Sequence, residues 1–292
     1  MSGTPTNRTT IGLPADVSAE ILAKTQEESA VMQLARRIEL PGRGVEIPVI
    51  TSDPVAEWVS ETGSKPVSNP GLSKKIMTAY KLAVIVPFSN EFRRDAAALY
   101  DALVERLPRA LAKQFDATVI GAVSKPGSNF DNFANCTAYD ISSSTYAQLV
   151  AADAEIAGAG GVLDGFALSP QAKSVLLGAT DLQGRPLFIN SAAEGAIPMI
   201  LGAKTVTNKG LYSAGDDADA IGIAGDWTQA VYGTVEGVKI DYSSDATLVD
   251  ANSNTISLFQ QNMFAVRAEI EIGFRADTDC FAVLTMPAGS ES

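Results

Sequence analysis

Trp58-Val59-Ser60-Glu61-Thr62-Gly63-Ser64-Lys65-Pro66 lies inside a segment that cannot fold by itself. From Pro41 to Pro87 the chain carries six prolines and four glycines around two strand-like runs. Val45-Glu46-Ile47-Pro48-Val49 alternates apolar and polar side chains, as a half-buried strand does. Lys75 to Val86 reads as a second, longer strand. Pro54, Gly63, Pro66, Pro70 and Gly71 fall between the two. Proline donates no ladder hydrogen bond, so it suits edge strands and loop tips. The expected structure is an extended two-stranded hairpin with a wide tip near Gly63 to Gly71. A lone hairpin is marginal in water. This one must lie on something else, and the partner nearest to hand is another copy of the same chain. That implies an assembly protein rather than a free enzyme.

The rest of the composition fits that reading. A length of 292 residues allows one large domain or two modest ones. Hydrophobic residues at 46% against 19% charged support a sizeable core and exclude global disorder. No apolar run reaches the roughly 18 residues of a membrane-spanning helix. Met1 to Thr10 is polar and lacks the apolar stretch of a secretory signal. Cys136 and Cys280, without any CxxC, read as two reduced thiols of a cytosolic protein. Histidine is absent, which excludes His-based triads and most zinc sites. Carboxylate or lysine chemistry stays open, and no cofactor or metal is expected. Residues 1–125 hold 15 Lys+Arg and 14 Asp+Glu, while residues 126–292 hold 7 and 20, so the net charge of −12 arises in the second part. Without a basic stripe, contact with DNA should be weak and indirect.

Upstream of the hairpin, the first fifteen residues read as an arm. Asp16 or Ser18 caps a short helix with Ile21, Leu22 and then Ala30 or Val31 on its apolar side, and Arg36 to Leu40 is extended. Downstream, Leu99, Leu103, Leu107, Leu111 and Phe115 recur every four residues, with Val104, Ala110 and Val119 widening the stripe. A helix from Asp95 to Val123 would span roughly 40 Å, with Pro108 kinking or splitting it. Ser124-Lys125-Pro126-Gly127-Ser128 marks a domain boundary. Beyond it, Ser144 or Thr145 caps a helix to about Ala159, Gly165–Leu168 is a strand, and Pro170 opens a helix through Leu177. Strand-like runs follow at Met199–Val206, Ala220–Ala224, Thr228–Tyr232 and Val235–Tyr242, a mixed α/β pattern. Met263 to Phe274 is a long alternating strand whose expected antiparallel partner is Phe281–Leu284. Both should pack on the long helix, which makes the α/β unit an insertion. Gly158–Gly161 and Gly222–Gly225 lack phosphate-loop spacing. Asp216, Asp217 and Asp219 read as a solvated acidic loop rather than a cation site, and Trp227 as a packing residue.

Several patterns then stand in a specific order: Trp58…Glu61-Thr62-Gly63…Lys65-Pro66, Phe88-Ser89-Asn90-Glu91…Asp95, Phe115-Asp116…Gly121…Gly127, Gly165-Phe166-Ala167-Leu168-Ser169-Pro170, Gly184-Arg185-Pro186-Leu187-Phe188, Ala224-Gly225-Asp226-Trp227, and Asn262-Met263…Arg267-Ala268-Glu269. From about Leu13 to Leu284 the chain resembles the major capsid proteins of tailed bacteriophages, the Hong Kong 97 fold. The resemblance implies an α+β architecture of four parts. These are an N-terminal arm (1–40), an extended β-hairpin loop lying across a neighbouring subunit (41–88), a peripheral domain with a long spine helix (89–126 and 245–292), and an axial α/β domain (127–244). It implies hexamers and pentamers closing into an icosahedral shell around double-stranded DNA, a portal, and location in the virion after assembly in the host bacterial cytoplasm. Many relatives begin with a long helical scaffolding segment that is cleaved off. Here the folded region starts almost at Met1, so a separate scaffold protein, or none, is expected. Trp58, Glu61, Lys65 and Pro66 are the implied subunit-interface residues. Some relatives crosslink a loop lysine to a peripheral-domain asparagine with help from a glutamate, and Lys65, Asn262 and Glu269 fall at the matching positions. An intersubunit salt bridge at Lys65 and a strand-start role at Asn262 are the structural alternatives. An encapsulin-type compartment is the alternative shell. A carboxylate-dependent hydrolase has little support, because the candidate acids are scattered.

Overall fold

The computed structural model describes residues 15–42, 44–52, 58–59, 65, 71–91, 96–181, 183–188, 197, 199–249 and 253–288. Helices α1 (Ala15–Glu28) and α2 (Ala30–Leu34) come first. Asp16 and Ser18, expected as caps, lie inside α1. The cap between the helices is Ser29, whose Oγ accepts the Met32 N–H (3.1 Å). Strand β1 (Arg36–Glu39) follows, as the extended Arg36–Leu40 run predicts. Strands β2 (Val45–Ser52) and β3 (Gly71–Met77) pair antiparallel, from Val45 opposite Met77 to Ser52 opposite Gly71. Most of the tip expected near Gly63 to Gly71 lies outside the described residues. The expected Lys75–Val86 strand is two strands: β3 ends at Met77, and β4 (Tyr80–Ser89) enters a different sheet.

Helix α3 (Ala96–Ile120) has 25 residues and continues through Pro108. Leu107, Leu111, Phe115 and Val119 are buried as their spacing predicts, but Ala110 is exposed, so the stripe is narrower there. Then come β5 (Ala138–Asp140), α4 (Thr145–Gly158), β6 (Gly165–Leu168) and α5 (Pro170–Gly178). Ser144 precedes α4 in a left-handed conformation and makes no side-chain cap bond, whereas Ser169 Oγ accepts the Ala172 N–H and Pro170 starts α5. The Met199–Val206 run is a tight hairpin, β7 (Met199–Ile200) and β8 (Ala203–Thr207). Leu201 and Gly202 between them both take positive φ (50° and 83°), which suits a two-residue turn. The chain ends through β9 (Ala218–Gly225), β10 (Ala230–Thr234), β11 (Lys239–Ser243), β12 (Thr247–Val249), β13 (Thr255–Ser257), β14 (Met263–Ala276) and β15 (Phe281–Pro287).

Two sheets organise the body. In the first, Ile272 of β14 faces Tyr80 of β4 and also Thr234 of β10. A strand residue has one neighbour on each edge, so β4 and β10 flank β14 on opposite sides. By the same argument β11, opposite Ala265–Glu269, shares the β10 edge. β1 lies parallel outside β10. Along β14, Val266, Ala268, Ile270 and Ile272 are buried, while Arg267, Glu269 and Glu271 take the other face. Ile21 of α1 and Leu107 and Leu111 of α3 belong to the core beneath the buried face. The second sheet has the order β5-β15-β9-β6-β8-β7, with α4 and α5 against it.

Two expectations fail here. β15 does not pair with β14; it runs between β9 and β5. Phe281 to Thr285 are all buried, a continuous run that fits a central strand rather than a half-exposed partner. Conversely β10 and β11, expected in the α/β unit, pair with β14. The two sheets thus exchange strands, and they share an aromatic core. Phe133 stacks on Phe281 at 4.4 Å, Trp227 meets both edge-on, and Phe274 of β14 meets Phe133. Trp227 also donates its Nε1–H to the Gly165 carbonyl (2.9 Å).

Asp116 of α3 joins the N-terminal helices to this core. It is fully buried and accepts hydrogen bonds from Ser29 Oγ (2.6 Å) and from the Ala30 and Val31 N–H groups (2.9 and 3.4 Å).

Candidate functional site: an assembly surface

The hairpin is stapled at its root. Met77 is fully buried beside Leu40 and Val231, with Val45 and Ile47 packed against them. Arg275 of β14 donates from Nε to the Ile76 carbonyl (2.8 Å), from Nη1 to Asp131 Oδ1 (2.7 Å) and from Nη2 to Asn129 Oδ1 (3.2 Å). Asp131 Oδ2 accepts the Ala276 N–H (3.2 Å), and Lys75 Nζ donates to the Ala276 carbonyl (2.9 Å). Gly273 lets the β3–β4 junction approach, since a Cβ there would stand 2.7 Å from the Thr78 carbonyl oxygen.

Among the described residues farther along the segment, three are exposed. Trp58 is fully exposed, and Val59 and Lys65 are exposed too. Covering an aromatic of this size removes roughly 150–250 Å² from water, which stabilises by about 4–6 kcal/mol at 25 cal/mol/Å². Glu61 and Pro66 lie outside the described residues.

A second surface is the solvent face of the five-stranded sheet. Lys81 Nζ donates to Glu269 Oε1 (2.6 Å) and lies 3.3 Å from Glu271, while Arg267 Nη2 donates to Asp241 Oδ2 (2.6 Å) and lies 3.7 Å from Glu269. The Lys81 hydrogen bond, with the Lys81, Arg267 and Lys239 charges behind it, holds the Glu269 carboxyl below its ordinary value. Glu269 is therefore ionised and already engaged with cations.

The third surface is the turn before β14. Asn262 is exposed, with φ 54°. Its Oδ1 accepts from Asn90 Nδ2 (2.8 Å), and its main-chain carbonyl accepts the Asn90 N–H (3.0 Å). Phe259 stands exposed three residues earlier. Asn262 and Glu269 are seven residues apart along an extended strand, about 23 Å at roughly 3.3 Å per residue. They cannot meet within one chain. Among the described residues, no hydrogen bond or ion pair joins Lys65 to either.

Sequence reasoning missed Arg275, Phe259 and the role of Asn90. The alternation of β14 places Arg275 on the outer face, and nothing in the sequence says that a loop folds over it. The acidic loop is also tighter than expected: Asp219 is buried and accepts from Tyr212 Oη (2.9 Å) and the Gly215 N–H (3.2 Å). Burial, helped by the Asp279 charge, pushes the Cys136 thiol up to about 12, which leaves it unreactive. Among the described residues, no acidic or cysteine cluster suits a metal ion, and no helix is long and apolar enough to cross a membrane.

The model of the Phage capsid family matches residues 10–286. The chain is 29% identical over 299 residues to the probable major capsid protein gp17 of Mycobacterium phage L5, covering 96% of this chain and 91% of that protein. A solved chain from Gordonia phage Cozz is similar with a TM-score of 0.70 at 21% identity, covering 90% of this chain and 87% of its own. One from Mycobacterium phage Bobi has a TM-score of 0.69 at 19% identity, covering 99% and 96%. The matched residues take in the hairpin, the long helix and both sheets, and the chain belongs to the phage capsid family.

Proposed function

We propose that the chain is a major capsid protein whose copies form hexamers and pentamers of an icosahedral shell around double-stranded DNA. The observation that carries this reading, beside family membership, is the hairpin fixed at its root by Arg275 and Lys75 with a bare Trp58 farther out. A rigid arm with an unburied aromatic is built to lie on a neighbour. The named relative is a phage capsid protein, so no observation favours the encapsulin-type compartment. The four-part division stands as part of this proposal: arm 1–40, loop 41–88, peripheral domain 89–126 and 245–292, axial domain 127–244. Strand pairing supports moving 230–243 into the peripheral sheet and 281–287 into the axial one. Portal and scaffold proteins are the proposed partners, DNA is enclosed without sequence-specific contact, and assembly takes place in the host cytoplasm before the protein enters the virion.

Covalent locking is part of the proposal. Lys65 of one copy attacks the side-chain amide of Asn262 on a second, and Glu269 of a further copy accepts the proton. Because Asn262 and Glu269 are about 23 Å apart on β14, the reaction needs different chains, and it serves as a late check on assembly. The lysine must be neutral to react, so desolvation between subunits drives it. Negative-stain microscopy and sedimentation of the purified full chain test the shell: rings or closed particles are expected. A protein that stays monomeric at high concentration, with its hairpin amides protected, overturns the proposal. Boiled particles on a denaturing gel test the crosslink, with a ladder above the 30.5 kDa monomer expected and a single monomer band refuting it.

A further inference from the structure

Asn262 is held in an unusual way. Asn90 grips both of its carbonyl oxygens, the main-chain one through its N–H (3.0 Å) and the side-chain Oδ1 through Nδ2 (2.8 Å). Asn262 itself takes a left-handed conformation that only a few residue types tolerate. The Met263 N–H, the group that would close an intrachain succinimide on Asn262, donates instead to the Leu258 carbonyl (2.9 Å). The carboxamide is thus shielded from its own backbone and left exposed to an outside nucleophile. The other end of the Asn90 carboxamide is unusual too: its Oδ1 is buried with no hydrogen-bond partner. Orphaned acceptors of this kind are costly and uncommon.

From this geometry we infer that Asn90 is a catalytic residue of the amide transfer, the oxyanion donor for Asn262. The inference rests on the Lys65–Asn262 reading. Neutral Lys65 Nζ of one copy adds to the Asn262 Cγ of another, forming one C–N bond. The carbonyl π pair moves to Oδ1, where the Asn90 Nδ2–H already points. As the tetrahedral centre collapses, the Cγ–Nδ2 bond breaks. The departing nitrogen takes the proton released by Lys65, relayed by the carboxylate of Glu269 on a further copy, and leaves as ammonia. One amide replaces another, so no oxidant or water is consumed. A donor aimed at the oxygen where charge develops lowers the barrier without rearrangement.

The test compares crosslinking rates in assembled particles of the full chain. Sedimentation scores assembly first, and boiled gel samples taken over time then score covalent bonds. Asn90→Asp, nearly isosteric but without the Nδ2–H, and Asn90→Ala should assemble normally and crosslink roughly 100-fold more slowly. Their pH–rate midpoint should match the wild type, because the lysine is untouched. Asn90→Gln, which keeps a carboxamide donor, should recover part of the rate. Wild-type rates in assembled Asn90→Asp or Asn90→Ala particles overturn the assignment. Loss of assembly in both variants also overturns it, since Asn90 would then serve the fold or the interface. Wild-type particles that never crosslink, or a Lys65→Arg variant that still does, sink the underlying reading instead.

Discussion

Replacing Arg275 with alanine should loosen the hairpin at its root. The side chains of Arg275 and Asp131 are 12% and 18% exposed, so the pair is largely withdrawn from water. A hydrogen bond to a charged partner contributes about 1.5–3 kcal/mol, and each neutral one, here to Ile76 and Asn129, about 1 kcal/mol. Those terms would total about 4 kcal/mol, but water can re-enter a site with this much residual exposure. The expected loss is about 3 kcal/mol. Arg275→Lys keeps a charge near Asp131 yet loses the planar fork that reaches Ile76 and Asn129 together, so about half the loss is expected. Two assays measure it. Urea unfolding of Arg275→Ala, Asp131→Asn and the double variant gives a coupling energy, expected at about 1–2 kcal/mol. Hydrogen exchange in β3 reports local opening: amides of Lys75 to Met77 should exchange roughly 100-fold faster, as about 3 kcal/mol dictates. A coupling energy near zero, with β3 exchange unchanged, would show that the staple does not hold the hairpin.

Three further outcomes are expected. Trp58→Ala should leave the unfolding midpoint of the unassembled chain unchanged, because the indole contacts only water, yet cut the yield of particles seen by sedimentation; equal yields would count against an interface role. Burial pushes Asp116 up to about 7, against the pull of its hydrogen bonds from Ser29, Ala30 and Val31. A carboxyl raised in this way contributes stability that is complete below its unfolded value of about 3.9 and is lost as pH rises through about 7. The melting temperature of the wild type should therefore fall from pH 4 to pH 8 relative to Asp116→Asn, and a constant difference would refute it. Gly225→Ala would put a Cβ 2.1 Å from Phe281 Cδ1, on a ring already stacked against Phe133; overpacking of this kind costs about 1–3 kcal/mol, and an unchanged denaturation midpoint would refute it.

Local signals in this sequence are honest, and the strand partners are not written in them. The Leu107–Leu111–Phe115 spacing, the Ser169-Pro170 helix start and the alternation of β14 each depend on neighbours within a turn or a strand, and each appears in the structure. Which strand pairs with which depends on residues far away in sequence. Phe281–Leu284 could pair with any exposed edge that accepts a doubly buried strand, and the short turn after Ala276 made β14 the obvious choice. The 3₁₀ turn at Thr278–Cys280 carries the chain to the other sheet instead. Lys75–Val86 failed for the same reason: its periodicity is unbroken, and the change of partner falls at Thr78, which packs against Gly273, almost two hundred residues away. Of the candidate site, Lys65, Asn262 and Glu269 are singled out by resemblance alone. Asn90 and Arg275 make their contacts with loops and turns, which one sequence does not display.

Strand β14 brings these contacts into one argument. Asn262 precedes its first residue, Glu269 sits at its middle, and Arg275 closes its far end against the hairpin root. A stiff strand fixes the separations between these stations. Its far end holds the root of the hairpin that carries Lys65, while under the proposed crosslink its start and middle would offer an amide and a carboxylate to hairpins of other copies. Aim and target are thus set by one rigid element that packs through Val266, Ala268 and Ile270 on the core beneath it. In this arrangement a copy with a poorly packed core would both misdirect its own lysine and present a misplaced amide, so covalent joining would select for subunits that are folded and correctly seated.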